Sequence, residues 1–318
     1  MTSLTKKQIN WLNKCCDSTW TLNPKTGLVD VFSDFDCSDQ GRRDFKGVKF
    51  GVVDGNFDCD KNRLTSLKGA PLKVGGNFYC SYNALTSLEG APQEVGMGFS
   101  CYSNRLTSLK GAPQSVSGDF WCDNNRLTSL EGAPQKVGAD FYCRSNALTS
   151  LEGAPQEVGV GFYCQNNHLT SLEGAPQEVG RSFYCDNNRL TSLEGAPQEV
   201  SGSFVCQNNH LTSLVGAPLK VGGSFFDCQN NHLTSLEGAP LKFGGIFYCG
   251  NNPVSKRTLA KIYDKMKKGD SFMIAAGSLI NKMGKKDLKL ISKQLSKKGI
   301  TEDKIEAIKS WCSIRKMI

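Results

Sequence analysis

Apolar residues return along this chain every 21 positions, and the polar residues between them return almost as faithfully. "FYCQNNHLTSLEGAPQEVG", Phe162 to Gly180, is followed by "FYCDNNRLTSLEGAPQEVS", Phe183 to Ser201. The segment Leu-Thr-Ser-Leu starts at Leu64, Leu85, Leu106, Leu127, Leu148, Leu169, Leu190, Leu211 and Leu233, and Gly-Ala-Pro follows each time. A fixed period of about 20–50 residues marks a solenoid: one unit cannot bury its apolar side alone, so units stack. Phe-x-Cys alternates with period two, which predicts a very short strand with Phe and Cys turned inward and the middle residue outward. From Cys59 onward an Asn stands three residues after the Cys. Fixed among apolar positions, it is expected to be buried and therefore hydrogen-bonded, in a ladder from Asn62 through Asn83, Asn104, Asn125, Asn146, Asn167, Asn188, Asn209 and Asn231 to Asn252. The two Leu of each unit turn inward. Gly supplies conformational freedom to the return arc and Pro stiffens it.

Phe, Cys, Asn and Leu of "FYCQNNHL" occupy the last four positions of L-x-x-L-x-L-x-x-N-x-L, the core of the leucine-rich repeat. Over roughly residues 33–252 the chain resembles that family. The "LTSLEGAP" wording is similar to short repeat proteins encoded by bacteriophages and some bacteria. The resemblance implies a curved or flattened solenoid, a parallel sheet on one face, and binding as the usual role. Two features depart from the family: a four-residue step from Val to Phe in place of three, and a Gly-Ala-Pro arc with no helix signal.

The ends read differently. Thr5 and Gln8 have the spacing of a capping box, and Leu4, Ile9, Leu12 and Cys16 share one side of the helix it would start. Beyond Pro253, glycines 269, 284 and 299 punctuate four helical stretches. The expected fold is a β-rich solenoid, leucine-rich-repeat-like, with a short parallel sheet on one face. An N-terminal cap of helix plus degenerate first coil takes residues 1–50, the repeats take 51–252, and a small Lys-rich α-helical bundle takes 253–318. At ~4.8 Å per parallel strand, about eleven coils give a sheet roughly 50 Å long. The extra residue in "SFFDC", Ser224 to Cys228, predicts a bulge.

Composition refines this picture at three points. The hydrophobic fraction of 39% supports a core, yet no apolar run approaches the ~20 residues of a membrane span. The start lacks the apolar stretch of a secretory signal, so the expected location is the cytosol, that of the bacterial host for a phage-encoded protein. The net charge of +8 belongs to the tail: residues 253–318 hold 17 Lys or Arg against 6 Asp or Glu. That cluster is either a solvated cap surface or a weak contact for nucleic acid or another polyanion.

Fourteen cysteines invite a metal or redox reading, but eleven of them form one column at the repeat spacing and no Cys-x-x-Cys pair exists. A one-per-unit cysteine is a small buried apolar residue, so neither cofactor nor metal is expected. There is no phosphate loop, no His-Glu-x-x-His and no Gly-x-Ser-x-Gly. An enzyme is not expected.

Candidate binding residues lie where the repeats differ. The outward residue between Phe and Cys reads Asp58, Tyr79, Ser100, Trp121, Tyr142, Tyr163, Tyr184, Val205, Asp227, Tyr248. The residue after Cys includes Tyr102, Arg144 and Gln165, and the residue before the first Leu includes Arg105, Arg126, His168 and Arg189. Exposed aromatics beside arginine have the composition of an interface centre. Aromatic neighbours on adjacent strands also stabilise a sheet by about 0.2–1 kcal/mol per pair without any partner. The favoured reading is a non-catalytic protein-interaction solenoid whose aromatic face, centred on Trp121 to Tyr184, binds or masks a protein partner. A nucleic-acid-associated protein using the basic tail and a virion structural or adhesin component are the alternatives.

Overall fold

The computed structural model describes residues 3–254 except 241. Helix α1 (Lys6–Cys15) opens on the expected capping box: Gln8 N–H donates to the Thr5 hydroxyl, and the Gln8 side chain accepts from the Thr5 N–H at 2.8 Å. Its apolar side sets Trp11 edge-on against Phe35, 5.4 Å, and Phe50, 6.2 Å. A short antiparallel pair, β1 (Trp20–Leu22) and β2 (Val29–Val31), leads into the repeats.

From there the chain is a β-solenoid. β3 (Phe35–Asp36) begins an 11-stranded parallel sheet in which each coil contributes the Phe-x pair. The register is one coil to the next, as in Phe141↔Phe162 and Tyr142↔Tyr163. The Phe rings are fully buried and stack along the axis from Phe35 to Phe247, with centroids 5.1–5.7 Å apart. Cysteine and both leucines of each unit close the same core.

A sheet on one face only was the expectation, and the structure corrects it. The residue pair ending in Val, as in Lys136–Val137 and Glu157–Val158, is a second strand in every coil, the Val buried and its neighbour exposed. These strands form a second sheet, parallel but for the β1–β2 pair, in three pieces of five, four and three strands, the first piece including β1, β2 and β4 (Phe50–Val53). The four-residue step from Val to Phe is the corner joining the two sheets. The residue after Val explains the breaks. At Gly159 an added Cβ would meet the Gly138 carbonyl at 2.0 Å, so only glycine lets adjacent coils approach there. Where Ser117 and Ser201 replace this glycine, their hydroxyls donate to the Gly96 and Gly180 carbonyls, and the second sheet is interrupted on the preceding side of those coils.

The ladder asparagines turn the corner after each Phe-x-Cys strand. The Asn167 amide donates to the carbonyls of Cys164 and of Cys143 in the preceding coil, both at 3.0 Å, and its oxygen accepts the Leu148 N–H at 3.1 Å. The residue just before each ladder Asn has a left-handed backbone, φ +51° to +58° from Lys61 to Asn251. Asn tolerates that region better than most residues, which accounts for the Asn-Asn pairs of the later repeats.

The two 22-residue steps are absorbed differently. Between Cys37 and Cys59 the register of β2 with β4 shifts by one, a bulge. The bulge expected at Ser224–Cys228 does not form. There the extra residue lengthens the strand to Phe225–Asp227, and Phe204, Phe226 and Phe247 stay in register. The expected helical bundle beyond Val254 lies outside the described residues.

Asn167→Ala removes a buried donor and acceptor together and is expected to cost about 1–3 kcal/mol. Urea unfolding of the variant against wild type measures it.

Candidate functional site

The outward column of the first sheet carries the candidate face. Trp121, Tyr142, Tyr163 and Tyr184 lie on four successive strands, half-buried, and their rings stack. Centroids are 6.0 Å apart for Trp121–Tyr142, 4.6 Å for Tyr142–Tyr163 and 5.1 Å for Tyr163–Tyr184. The rings fold back along their own strands: Tyr142 Oη donates to Asp140 at 3.1 Å. At Gly161 an added Cβ would strike the Tyr163 ring at 2.7 Å, so a glycine two residues upstream makes room for that aromatic. Burial, and for Tyr142 the Asp140 carboxylate, push these phenols up, so they are neutral donors at physiological pH.

Arg144 sits beside this row and is already paired. Its guanidinium grips Asp123 through Nε at 3.2 Å and a second nitrogen at 3.0 Å, and it lies 4.9 Å from the Tyr142 ring centroid. Asp123 is buried, so the arginine neutralises it and braces the row. Gln165 keeps one buried amide oxygen without a hydrogen-bond partner.

The row ends on both sides. Beyond Tyr184, Val205 and Asp227 are buried, and Tyr248 packs edge-on against Phe225 at 6.1 Å. On the other side, Ser100 stands in register between Tyr79 and Trp121 and interrupts the stack. A depression of about 430 Å³ opens there, lined by Asp60, Tyr79, Ser100, Tyr102, Trp121, Asp123, Asn124 and Arg144. Its floor is braced by a hydroxyl pair, Ser81 and Ser100, with oxygens 2.6 Å apart and both residues buried. Tyr102 meets Tyr82 edge-on at 4.8 Å, and burial followed by that neighbour pushes its phenol up to about 12. The Asp60 carboxylate accepts the Ser81 N–H, yet burial and then the Asp58 charge raise it to about 7.

The structure thus brings Tyr79, Tyr102, Trp121 and Arg144 around one depression and Tyr142, Tyr163 and Tyr184 into one stack. Arg105, Arg126, His168 and Arg189 form a separate exposed column past the left-handed corner; their backbone N–H groups bond the preceding coil, as His168 N–H does to Leu148 O at 2.9 Å. His210 and His232 continue that column as parallel rings 5.6 Å apart. Sequence reasoning missed Asp60, Ser100, Asp123 and Asn124. The signal was present as a break in the aromatic column at Ser100 and as Asp123 standing 21 residues before Arg144.

The cysteine column is closed to chemistry. Every described cysteine is buried and free. Burial pushes the repeat thiols far up, and most donate to a carbonyl of the next coil, as Cys143 does to Tyr163 O at 3.4 Å. Thiolate nucleophilicity and metal binding both need the opposite shift. Among the described residues, no group of three or more His, Cys, Asp or Glu is placed to hold a metal. No described helix is long and apolar enough to cross a membrane.

No protein-family model matches the chain, and no curated protein does. Among solved structures it is similar to YopM from Yersinia enterocolitica at 13% identity, covering 79% of this chain and 74% of that one with a TM-score of 0.30. It is also similar to a leucine-rich-repeat protein of Leptospira interrogans at 14% identity, covering 75% and 95%, with a TM-score of 0.27. Likeness at that level carries no argument about function, and the solenoid description rests on the coil geometry above.

Asp60 offers a pH test of the depression. Its carboxyl keeps its proton to about pH 7 in the folded chain against 3.8 for the ordinary group. The stability it contributes is therefore fully present below pH ~4 and is lost as pH rises through 7. Asp60→Asn is expected to melt a few degrees above wild type at pH 8 and level with it at pH 4, read by circular dichroism.

Proposed function

We propose that this protein is a non-catalytic interaction solenoid whose Trp121–Tyr184 face binds a protein partner. The observation that carries the reading is the stacked row itself: four aromatic rings held rigid and half-exposed on adjacent strands. Rigid aromatics present a large contact area at little cost in side-chain entropy. The constant interior holds the row flat, while the variable outward letters give it identity. In this reading α1 covers the first coil of the stack, since a solenoid exposes core at any end left bare. The similarity of the repeat wording to phage-encoded proteins makes a bacterial host protein the expected partner and the host cytosol the expected place.

A second reading, contact with nucleic acid or another polyanion, rests on the Lys-rich composition of residues 253–318. Salt separates the two, because affinity for a polyanion falls steeply with ionic strength, whereas burial of an aromatic face depends on it far less.

The test is affinity capture from bacterial lysate with the wild type and a Trp121→Ala/Tyr142→Ala/Tyr163→Ala variant, followed by affinity measurement on the purified partner. A loss of at least tenfold in the triple variant, with the melting temperature within a few degrees of wild type, is expected. Equal capture by both proteins places the interface elsewhere.

A further inference from the structure

The depression at Ser100 is a missing rung. Every rung from Trp121 to Tyr184 is filled by a ring 4.6–6.0 Å from its neighbour. Tyr79 and Trp121 are two coils apart, with Ser100 in register between them. Two steps at about 4.8 Å each separate the strands that carry these walls by roughly 10 Å, and the coil between them contributes no ring. An added Cβ at Gly98, on the Ser100 coil, would meet the Trp121 ring at 3.1 Å, so the indole leans toward this position and that glycine makes room for it. Ser100 lies in the floor, its hydroxyl hydrogen-bonded to the fully buried Ser81 behind it.

The charges choose among planar groups. Asp123 is neutralised by Arg144. Asp60 is not matched in this way: its carboxylate accepts the Ser81 N–H but is in no ion pair among the described residues. Asp58 stands one coil below Tyr79 in the same column. The groups facing Asp60 are Asp58 and Lys61 on its own coil, with Asp123 and Arg144 across the depression. With Asp123 neutralised by Arg144, the lining gains one net negative charge when Asp60, one coil below Tyr79, ionises as pH rises through 7, and a negative charge beside aromatic faces favours a flat cation.

We propose that the notch between Tyr79 and Trp121 receives the guanidinium of an arginine side chain from a protein partner, lying over Ser100 with the Asp60 carboxylate of the same depression as its counter-charge. This deepens the interaction reading above and rests on it. Lysine fits the charge but not the two flat walls; a neutral tyrosine or tryptophan fits the walls but leaves Asp60 unpaired. The raised carboxyl of Asp60 adds a signature, since an incoming cation displaces the proton held there and binding strengthens as pH rises through 7.

The experiment is a nuclear magnetic resonance titration of the full chain with N-acetyl-arginine amide, and separately with the lysine and tyrosine analogues. The arginine probe is expected to shift the amides of Ser100 and Tyr102 and the Trp121 indole with millimolar affinity. That affinity should be at least threefold tighter at pH 8 than at pH 5.5. Ser100→Tyr restores the residue type found at positions 79 and 142 of the same column and should abolish the shifts at unchanged melting temperature. Asp60→Asn, should Ser100→Tyr fail to fold, should weaken the probe at least threefold and remove the pH dependence. Preference for the tyrosine probe, equal response to lysine, no shift at these positions, or arginine shifts that survive Ser100→Tyr overturns the proposal. With a partner in hand the two readings part: one lost by the triple aromatic variant but kept by Ser100→Tyr leaves the face standing and removes the notch.

Discussion

At the corner after each Phe-x-Cys strand, backbone groups leave the sheet inside the protein, where an unpaired carbonyl or amide costs about 1–3 kcal/mol. One asparagine per coil settles this. Its amide bonds the cysteine carbonyls of two successive coils and its oxygen takes a leucine N–H, as at Asn188 with Cys164, Cys185 and Leu169. The same contact recurs from Asn83 to Asn252, and at Asn62 the N–H of Arg42 takes the leucine's place. Because the bonds run between coils, the ladder fixes register as well as satisfying the corner. The Phe stack inside and the aromatic stack outside both follow from that register.

A constant interior also separates the residues that build the coil from those that vary on its surface. Phe, Cys, Asn and Leu are held by the coil, and a change at any of them is felt by two neighbours. The residues between them face outward and are free to differ. The outward column therefore runs from aspartate through tyrosine, serine and tryptophan to tyrosine again without disturbing the sheet. Cysteine belongs wholly to the interior: its size suits the space, and its thiol is spent on a carbonyl. The exposed serines that follow Val116 and Val200 show what happens where two coils approach closely and the glycine is replaced, since the second sheet is interrupted at each.

The solenoid, the first sheet and the asparagine ladder were legible because they repeat, and repetition exposes which positions the coil constrains. The second sheet was hidden. Its strands are two residues long, and a single buried Val beside a charged residue is too short to show a period. The left-handed corner was legible only in part: Asn-Asn pairs mark it in later coils, but Lys61, Tyr82 and Ser103 hold the same backbone in earlier ones. In the face, the aromatic row was readable from one column. Arg144 looked like a free cation because its partner, Asp123, lies a coil away. The depression was missed because it is made by a small residue, Ser100, whose importance lies in what flanks it.

The central claim is that side-chain asparagines, more than strand pairing alone, hold the coils in register. Native-state hydrogen exchange on the full chain tests it directly, because the amides of Leu127, Leu148 and Leu169 lie outside any strand and bond the oxygens of Asn146, Asn167 and Asn188. Amides that open only with the global structure exchange slowest. The account predicts that these leucine amides are protected as strongly as the strand amides of Phe141 and Phe162, which bond the carbonyls of Gly161 and Ser182. Exchange of the leucine amides at the rate of exposed loops, while the phenylalanine amides stay protected, would contradict it.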